Sequence, residues 1–335
     1  MGAEAESIAE FADSEKATDL MKEVAEHTLP ADLAALVEDY DTLEGSRDPF
    51  LWRWIHSLTP EFTLDFVPKE HVSDVRKVKT IATMFITLAD DVLEKDRDRA
   101  TYEEITKIPH PSQSVDFDHE GVRTDYLEFS QRVWSTLETR LNAAPNSHVY
   151  MPLFQFDTKQ AFDAIEYSYL MSLYPGISTY REIVQHDTHN VMMFSYADID
   201  LMYSPGMETE DLAPLRDAIW HAQLMARIGN WIATWERELT EYDFSSGPVV
   251  YALEEGIIDL EDLKELERTR DSAKHDEIVT AIKDADVEDF FLSEWQNQYD
   301  ELKEASDEID DFVIADYCEG MEIVLRYFLS ARGWI

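Results

Sequence analysis

The sequence predicts an all-α protein with one helical domain, and three observations lead to this prediction. Apolar side chains recur at helical spacing over long stretches, most clearly at about 70–98 and 208–242. Only 10 Gly and 12 Pro occur in 335 residues, which favours long helices over a many-stranded sheet. No internal repeat and no domain-scale linker is visible, so we expect one domain at 48–335 behind an acidic leader at 1–47.

The elements are predicted in chain order from the same apolar periodicity. The leader has amphipathic helical content, and the aromatic run at 50–55 is expected to pack one helix into the core. Further helices are expected at about 70–98, 121–142, 157–172, 180–202, 208–242, within 249–284, and at 286–304 and 307–330. Breaks are expected in the loop 108–121, around 144–147, and at 174–176, 204–206 and 244–248.

The acidic composition disfavours one class of partner and indicates one environment. Asp and Glu number 71 against 28 Lys and Arg, for a net charge of −43. Such a chain would repel phosphate backbones, so we expect no nucleic-acid partner. Self-repulsion would destabilise it in dilute salt, whereas molar salt, with a Debye length of about 3 Å, would screen that repulsion. The composition is typical of a halophilic source with high internal salt, and an ordinary acidic protein is the alternative.

Cysteine content and hydropathy indicate the compartment. Cys318, the single cysteine, excludes an intramolecular disulfide, and its apolar helical surroundings predict a buried thiol. The first residues lack a basic stretch followed by an apolar core, so we expect no secretory signal. No uncharged apolar stretch is long enough to predict a membrane span. We therefore expect a cytoplasmic protein.

A stripe of oxygen-bearing side chains lies on the long helix at 208–242. Asn230, Thr234 and Glu238 fall at i, i+4 and i+8, which places an amide, a hydroxyl and a carboxylate on one face. Three hard oxygen donors in a row form a partial coordination shell for magnesium. A solvated outer face is the alternative, but the tryptophans at 220, 231 and 235 suggest burial all round.

A second acidic group lies near the end of the helix at 70–98. Asp90 and Glu94 stand at i and i+4 and share a face, with Asp91 offset by about 100° and Asp96 just beyond. Uncompensated carboxylates at the inner end of an apolar helix repel one another unless a cation binds between them. A solvated helix end is the alternative in a chain this acidic.

The two groups together carry a family resemblance. A D-D-x-x-E at 90–94, followed about 140 residues later by N-x-x-x-T-x-x-[KR]-E at 230–238, resembles the paired metal motifs of class I terpene synthases. Trp231 departs from the second motif, since many members carry Asp there. Arg326-Tyr327 is similar to the Arg-Tyr pair near the C-terminus of microbial members, and Arg181 lies about where the family has its diphosphate-sensing arginine.

The resemblance implies a fold and a site. The fold would be the single-domain α-helical bundle of class I terpenoid synthases, which is often a dimer. Three Mg²⁺, for which Mn²⁺ can substitute, would be held by Asp90, Asp91 and Glu94 on one wall. The other wall would be formed by Asn230, Thr234 and Glu238. The diphosphate would be contacted by the remaining motif residues Arg181, Arg237, Arg326 and Tyr327.

The resemblance also implies the reaction. A prenyl diphosphate would lose its diphosphate with the help of Mg²⁺, with Asp90 and Glu238 essential to that step. Farnesyl diphosphate is favoured as substrate, with geranylgeranyl diphosphate close behind. The carbocation would cyclise or be quenched to a terpene hydrocarbon or alcohol in an apolar pocket lined by aromatic faces. Phe85, just over one helical turn before Asp90, is the best candidate for such a face.

Three other enzyme classes and a non-catalytic protein remain as alternatives. Chain-elongating prenyl transferases share the fold but carry two D-D-x-x-D motifs, and the second motif here is Asn/Thr/Glu. Head-to-head condensing enzymes use paired D-x-x-x-D motifs, which do not occur at matching places. Class II cyclases need D-x-D-D, and the nearest approach, at 308–311, is typical of acidic surface. A metal-stabilised helical protein without activity would also explain the two groups.

Overall fold

The computed structural model of the chain describes residues 3–12, 14–309 and 314–334. Every regular element within these ranges is helical, so the predicted all-α class is confirmed. The α-helices are α1 Ala3–Ala12, α2 Glu15–Glu26, α3 Ala31–Tyr40, α4 Phe50–Leu58, α5 Val72–Asp90, α6 Arg99–Ile105, α7 Thr124–Ala143, α8 Ser147–Leu173, α9 Tyr180–His186, α10 Met193–Tyr203, α11 Thr209–Thr240, α12 Gly247–Glu254, α13 Leu260–Thr269, α14 Ser272–Asp284, α15 Val287–Ser306 and α16 Ala315–Ser330. Two 3₁₀ segments, Thr59–Phe62 and Asp187–Val191, and a π segment, Asp91–Lys95, lie between them.

The core is built around α11, which packs against α10, α12, α15 and α16. Trp231 and Trp235 stand one turn apart on α11, are fully buried and face α15, where the Trp231 ring meets Phe291 at 5.8 Å between centroids. The indole nitrogen of Trp235 donates to the Glu288 carboxylate at 2.9 Å, which satisfies the polar atom of that large ring. This face of α11 is therefore committed to packing.

Helix α16 reaches the core through a very close approach to the backbone of the first 3₁₀ segment. A Cβ placed on Gly320 would lie 1.9 Å from the carbonyl oxygen of Glu61, so the contact requires glycine. The contact holds α16 against the 3₁₀ segment on one side, while α16 also packs along α11.

The helical content expected in the leader is present and packs on the rest of the chain. Helix α1 contacts α15 and α16, and the backbone N–H of Ala5 donates to the Gln296 side-chain oxygen at 3.1 Å. Helix α2 contacts α4 and α16. The described part of the leader therefore shares the hydrophobic core of the later helices.

Two predicted helices differ from the structure in length. The helix expected at 157–172 begins at Ser147, because the turn at 144–147 restarts a helix immediately, and it continues through Pro152, which has no N–H to donate to the preceding turn. The helix expected at 70–98 ends at Asp90 and widens into the π segment, where the Asp96 N–H donates to the Asp91 carbonyl at 3.0 Å.

Other differences concern breaks and starts. The helix expected at 180–202 is two helices separated by a 3₁₀ segment and by Met192, whose φ is 61°. Helix α6 was not predicted, although Asp98 caps it by accepting from the Thr101 N–H at 3.0 Å. The helix expected at 307–330 begins at Ala315. Asp310 and Asp311 of the acidic stretch at 308–311 lie outside the described residues.

Two further expectations can be compared with the structure. The Cys318 thiol on α16 is buried, as predicted. None of the helices within the described ranges combines the length and the apolar character that crossing a membrane requires.

Candidate active site

A cavity of about 430 Å³ lies between α4, α5, α11, α16 and the segment 190–196. Among the residues that line it are Thr83 and Ile86 along α5, then Asp90 at the end of α5 and Asp91 in the π segment. The cavity therefore has an apolar part and an acidic part. The apolar part is lined mainly by aliphatic and aromatic side chains, namely Leu51, Trp54, Ile55, Leu58, Phe62, Tyr196, Val324 and Phe328.

The structure brings all three residues of the first predicted metal group to the cavity. Asp90 ends α5, and Asp91 and Glu94 lie on the π segment that follows. In a regular α-helix Asp91 would be turned away from Asp90 and Glu94, but the wider π turn occurs at this point and all three line the cavity. Asp96 does not line it, since its carboxylate pairs with Arg123 at 2.5 Å.

The second predicted metal group lines the same cavity from α11. Asn230, Thr234 and Glu238 are all in the lining, one helical turn apart, as their spacing predicted. The Thr234 hydroxyl donates to the Asn230 backbone carbonyl at 2.8 Å, which leaves its lone pairs free to accept or coordinate. Two oxygen-donor groups from distant parts of the sequence thus meet at one cavity.

Three carboxyl groups at this cavity have raised pKa values, and burial is the largest cause for each of them. Burial, followed by the Asp90 and Asp243 carboxylates, raises the pKa of Glu94 well above its ordinary value. Burial also raises the pKa of Asp90, against the opposing effect of Arg47. For Glu238, burial and then Asp243 raise the pKa to about 7, while Arg237 and Arg227 lower it.

These donors fit a hard divalent cation such as Mg²⁺. Carboxylate, amide and hydroxyl oxygens are its preferred protein ligands, and a bound cation would favour the charged forms of carboxyl groups whose pKa values are raised by burial and then by mutual repulsion. Oε1 of Glu94 is buried and finds no hydrogen-bond partner among the described residues. Within those same residues, no three His, Cys, Asp or Glu side chains form a group that could hold a metal by themselves.

Three arginines reach the acidic part of the cavity, Arg47 from the loop before α4 and Arg227 and Arg237 from α11. Arg237 lines it as predicted, with its guanidinium 2.7 Å from Glu241 and 3.7 Å from Glu238. Arg47 and Arg227 also line it, and the sequence reasoning missed both. Arg227 could have been found, because it lies three residues before Asn230 and so falls on the same helical face.

Arg227 is anchored in a buried network. Its guanidinium donates to both carboxylate oxygens of Asp187, at 2.7 and 2.9 Å, and to the Asn230 side-chain oxygen at 2.6 Å. Trp231 donates its indole N–H to the same Asp187 at 3.1 Å. The Trp231 side chain is therefore turned into this network and does not line the cavity.

Three residues predicted to contact a diphosphate do not reach this cavity. Arg181 is exposed in the first turn of α9. Arg326 lies 3.7 Å from Glu322 and over the Phe11 ring, while Tyr327 neighbours Arg76 and Glu61. Helix α16 lines the cavity with Val324 and Phe328, and neither Arg326 nor Tyr327 is part of the lining. In this structure, therefore, Arg181, Arg326 and Tyr327 do not lie where they would contact a ligand in this cavity.

Phe85 also does not line the cavity. It stands five residues before Asp90, about 140° around the helix, and packs against Trp134 at 4.9 Å and Phe162 at 6.1 Å between centroids. Thr83, Ile86 and Thr87, which share the Asp90 face, line the cavity instead. The aromatic side chains that do line it are Trp54, Phe62, Tyr196, Phe328 and Trp334.

Comparison with models of known protein families and with curated protein sequences finds no match for this chain. What the cavity can do therefore follows from its own residues. Two oxygen-donor groups and three arginines suit a polyanion that binds together with a divalent cation. The aliphatic and aromatic lining suits an apolar chain attached to that polyanion.

Proposed function

We propose that the protein is a class I terpene synthase with the single-domain helical bundle of that family. The reaction is the Mg²⁺-dependent loss of diphosphate from a prenyl diphosphate, followed by conversion of the carbocation to a terpene. One observation supports this proposal most strongly. The groups at 90–94 and 230–238 line the acidic part of a cavity whose remaining walls are aliphatic and aromatic.

The acidic part of the cavity is the proposed diphosphate end. Asp90, Asp91 and Glu94 on one side, with Asn230, Thr234 and Glu238 on the other, would hold magnesium ions. When bound, Mg²⁺ acts as a Lewis acid that stabilises negative charge on the departing diphosphate. Magnesium sites commonly combine one or two carboxylates with substrate phosphate oxygens and water.

The arginines of the acidic part have a role of their own. The guanidiniums of Arg227 and Arg237 can donate charge-assisted hydrogen bonds to diphosphate oxygens. Asp187 fixes the plane of the Arg227 guanidinium through two hydrogen bonds. Because Arg227 is already buried in the folded protein, ligand binding does not have to remove the guanidinium from water. A preorganised cation stabilises developing charge without reorganising during the reaction.

The apolar part is the proposed site of carbocation chemistry. Trp54, Phe62 and Phe328 present aromatic rings, whose quadrupoles stabilise a cation in a water-poor site. Phe62 stacks on Tyr196 with 4.9 Å between centroids, which fixes both rings in the wall. The Tyr196 hydroxyl is 2.7 Å from that of Thr83, so the polar tip of Tyr196 is engaged.

The cavity suits a substrate of the proposed class. Its volume of about 430 Å³ falls in the range of about 300–1,000 Å³ typical of small-molecule sites. Farnesyl diphosphate is the favoured substrate, and geranylgeranyl diphosphate is the second choice. The product is a cyclic or linear hydrocarbon or alcohol.

The proposal is tested by a product assay with defined substrates. The protein in high KCl is incubated with geranyl, farnesyl or geranylgeranyl diphosphate, each with Mg²⁺ and with EDTA, and the volatile extract is analysed. A terpene that forms only with Mg²⁺ is expected. Longer prenyl diphosphates after addition of isopentenyl diphosphate would assign a transferase instead, and no conversion of any substrate would contradict both.

A further inference from the structure

Arg47 binds the same carboxylates that the proposed function assigns to the first metal group. Its Nε donates to Oδ1 of Asp91 at 2.7 Å, and its Nη2 donates to Oδ2 of Asp90 at 2.9 Å. One planar guanidinium thus bridges two adjacent aspartates. Because Arg47 lines the cavity together with them, this bridge lies at the acidic part itself.

The loop that carries Arg47 is fixed on the Asp-rich segment. We name residues 41–49, between α3 and α4, the strap. Lys95 donates to the Gly45 carbonyl at 2.9 Å, and Arg123 donates to the Glu44 carbonyl at 2.8 Å. The Arg47 backbone N–H donates to the Tyr40 hydroxyl at 2.8 Å. The strap therefore aims the Arg47 side chain at Asp90 and Asp91, and the contact is a property of the fold.

Arg47 and a divalent cation compete for the same oxygen atoms. A metal ion on Asp90 and Asp91 needs lone pairs that the guanidinium now occupies, and two cations in contact repel each other. The Arg47 side chain is about one-third exposed, whereas that of Asp91 is almost fully buried. Arg47 can therefore swing away on its flexible stem while the carboxylates stay in place.

We infer that Arg47 is an internal counter-ion that pairs with Asp90 and Asp91 until a divalent cation displaces it, and that the released guanidinium then binds the diphosphate. This inference rests on the proposed function, since it takes the metal and the diphosphate from it. A displaced Arg47 remains at the cavity beside the anion that arrives with the metal. Its fork of N–H groups matches phosphate oxygens in geometry and charge.

The test separates the two halves of the inference by binding measurements without turnover. Calorimetry in high KCl measures Mg²⁺ alone, and then inorganic pyrophosphate in saturating Mg²⁺, for the wild type, Arg47→Gln and Arg47→Lys. Loss of charge-assisted hydrogen bonds at Arg47→Gln should tighten Mg²⁺ binding about 10-fold and weaken pyrophosphate binding about 10-fold. Arg47→Lys, which keeps the charge without the fork, should lie between the two proteins in both measurements.

A matched control removes the same charge elsewhere. Arg268→Gln, on the outer surface of α13 with its side chain 74% exposed, should leave both affinities at the wild-type values. Thermal melts of all four proteins show whether each remains folded at the temperature of measurement.

Other results for Arg47→Gln would contradict either the counter-ion role of Arg47 or its role in binding the diphosphate. Unchanged or weaker Mg²⁺ binding in Arg47→Gln would overturn the counter-ion role, and unchanged pyrophosphate binding would overturn the second role. If the wild type binds Mg²⁺ and pyrophosphate, either result leaves the proposed function standing. If the wild type binds neither, the proposed function and this inference both fail.

Discussion

At the scale of single residues, the Asp187 carboxylate is the centre of the network that positions Arg227. Asp187 is fully buried and accepts hydrogen bonds from Arg227, from the Ser168 hydroxyl at 2.6 Å and from Trp231. Burial and the Asp187 carboxylate act in opposite directions on Arg227, and the net effect raises its pKa above the ordinary value. Arg227 therefore keeps its positive charge at any working pH.

Removing one partner of this pair should cost stability as well as ligand binding. Arg227→Gln leaves the buried Asp187 without its counter-ion, so we expect the free energy of unfolding to fall by about 3 kcal/mol. Denaturant melts in high KCl measure this loss. Arg268→Gln, on the exposed surface, should change the free energy of unfolding by less than about 1 kcal/mol. Equal stability of Arg227→Gln and wild type would show that the network does not support the fold.

His56 makes stability depend on pH. It is buried on α4, its ring nitrogen lies 2.7 Å from that of His27, and burial, then Arg76 and His27, lower its pKa from 6.5 to about 3. Below pH 6.5 His56 binds a proton in the unfolded chain, whereas in the folded chain it binds one only near pH 3. The stabilisation by neutral His56 is thus complete above pH 6.5 and is lost as pH falls, by up to about 1.4 kcal/mol per pH unit.

The measurement compares unfolding free energies between pH 7.5 and 5 in wild type and His56→Gln, with the exposed His148→Gln as control. The acid-induced loss should be smaller in His56→Gln than in the other two proteins. Parallel pH profiles for all three would rule out a neutral buried His56 as a contributor.

Residue-scale prediction from the sequence succeeded where the spacing within one helix was sufficient. Asn230, Thr234 and Glu238 share a face of α11 because four residues make about one turn, and they line the cavity together. The same rule applied loosely failed for Phe85, whose five-residue offset from Asp90 turns it toward Trp134. Arg47 was out of reach, because only the tertiary fold brings the strap to Asp90.

At the scale of elements, the cavity depends on how α16 is seated. Val324 and Phe328 line the cavity from α16, and Gly320, one turn earlier, touches the Glu61 carbonyl of the 3₁₀ segment. Phe62 in that segment is itself part of the cavity wall. The glycine contact therefore links the positions of two walls.

Gly320→Ala should displace α16. Because the added Cβ would lie 1.9 Å from a backbone oxygen, the backbone has to shift, and we expect a loss of about 3 kcal/mol in the free energy of unfolding. Glu319→Ala, at the exposed neighbouring position on the same helix, should change stability by less than about 0.5 kcal/mol. Denaturant melts compare the two variants. A Gly320→Ala protein as stable as Glu319→Ala would contradict the close contact.

Interruptions of helices could not be predicted from the sequence where no local residue pattern marks them. The break at 187–192 contains no Gly and no Pro, and apolar periodicity continues on both sides of it. Asp187, at the start of this break, accepts buried hydrogen bonds from Arg227 and Trp231. Both donors lie on α11, far along the chain, so the local sequence does not indicate these contacts. The π segment at 91–95 is likewise invisible in a sequence whose spacing reads as an ordinary helix.

At the scale of the whole molecule, most acidic side chains lie outside the buried core, although a few such as Asp91 and Asp187 are buried. Large side chains such as Trp52, Trp231, Trp235 and Trp295 are fully buried, as in any well-packed helical protein. The all-α class followed from composition and periodicity, because these are averages over many residues. The seating of the helices around the cavity did not, because it depends on contacts between distant segments.

The net charge of −43 predicts that salt stabilises the fold. Raising KCl from 0.1 M to molar concentrations shortens the Debye length from about 10 Å to about 3 Å, which screens repulsion among surface carboxylates. A thermal melt should therefore show a midpoint that rises steadily over this range. NaCl at the same ionic strength should reproduce the rise, because screening depends on ionic strength. A midpoint independent of KCl would contradict the high-salt interpretation.

The central claim is that the groups at 90–94 and 230–238 form one metal-dependent site for a prenyl diphosphate. The measurement that tests it most directly follows pyrophosphate release and terpene formation from the accepted substrate, with Mg²⁺, in the wild type, Asp90→Asn, Glu238→Gln and Glu236→Gln. Glu236 lies two residues from Glu238 but pairs with Lys283 at 2.8 Å and does not line the cavity.

Each of Asp90→Asn and Glu238→Gln should lower turnover by at least about 100-fold, the scale of losing one transition-state charge contact, while Glu236→Gln should keep the wild-type rate. Wild-type turnover in both Asp90→Asn and Glu238→Gln would contradict the central claim.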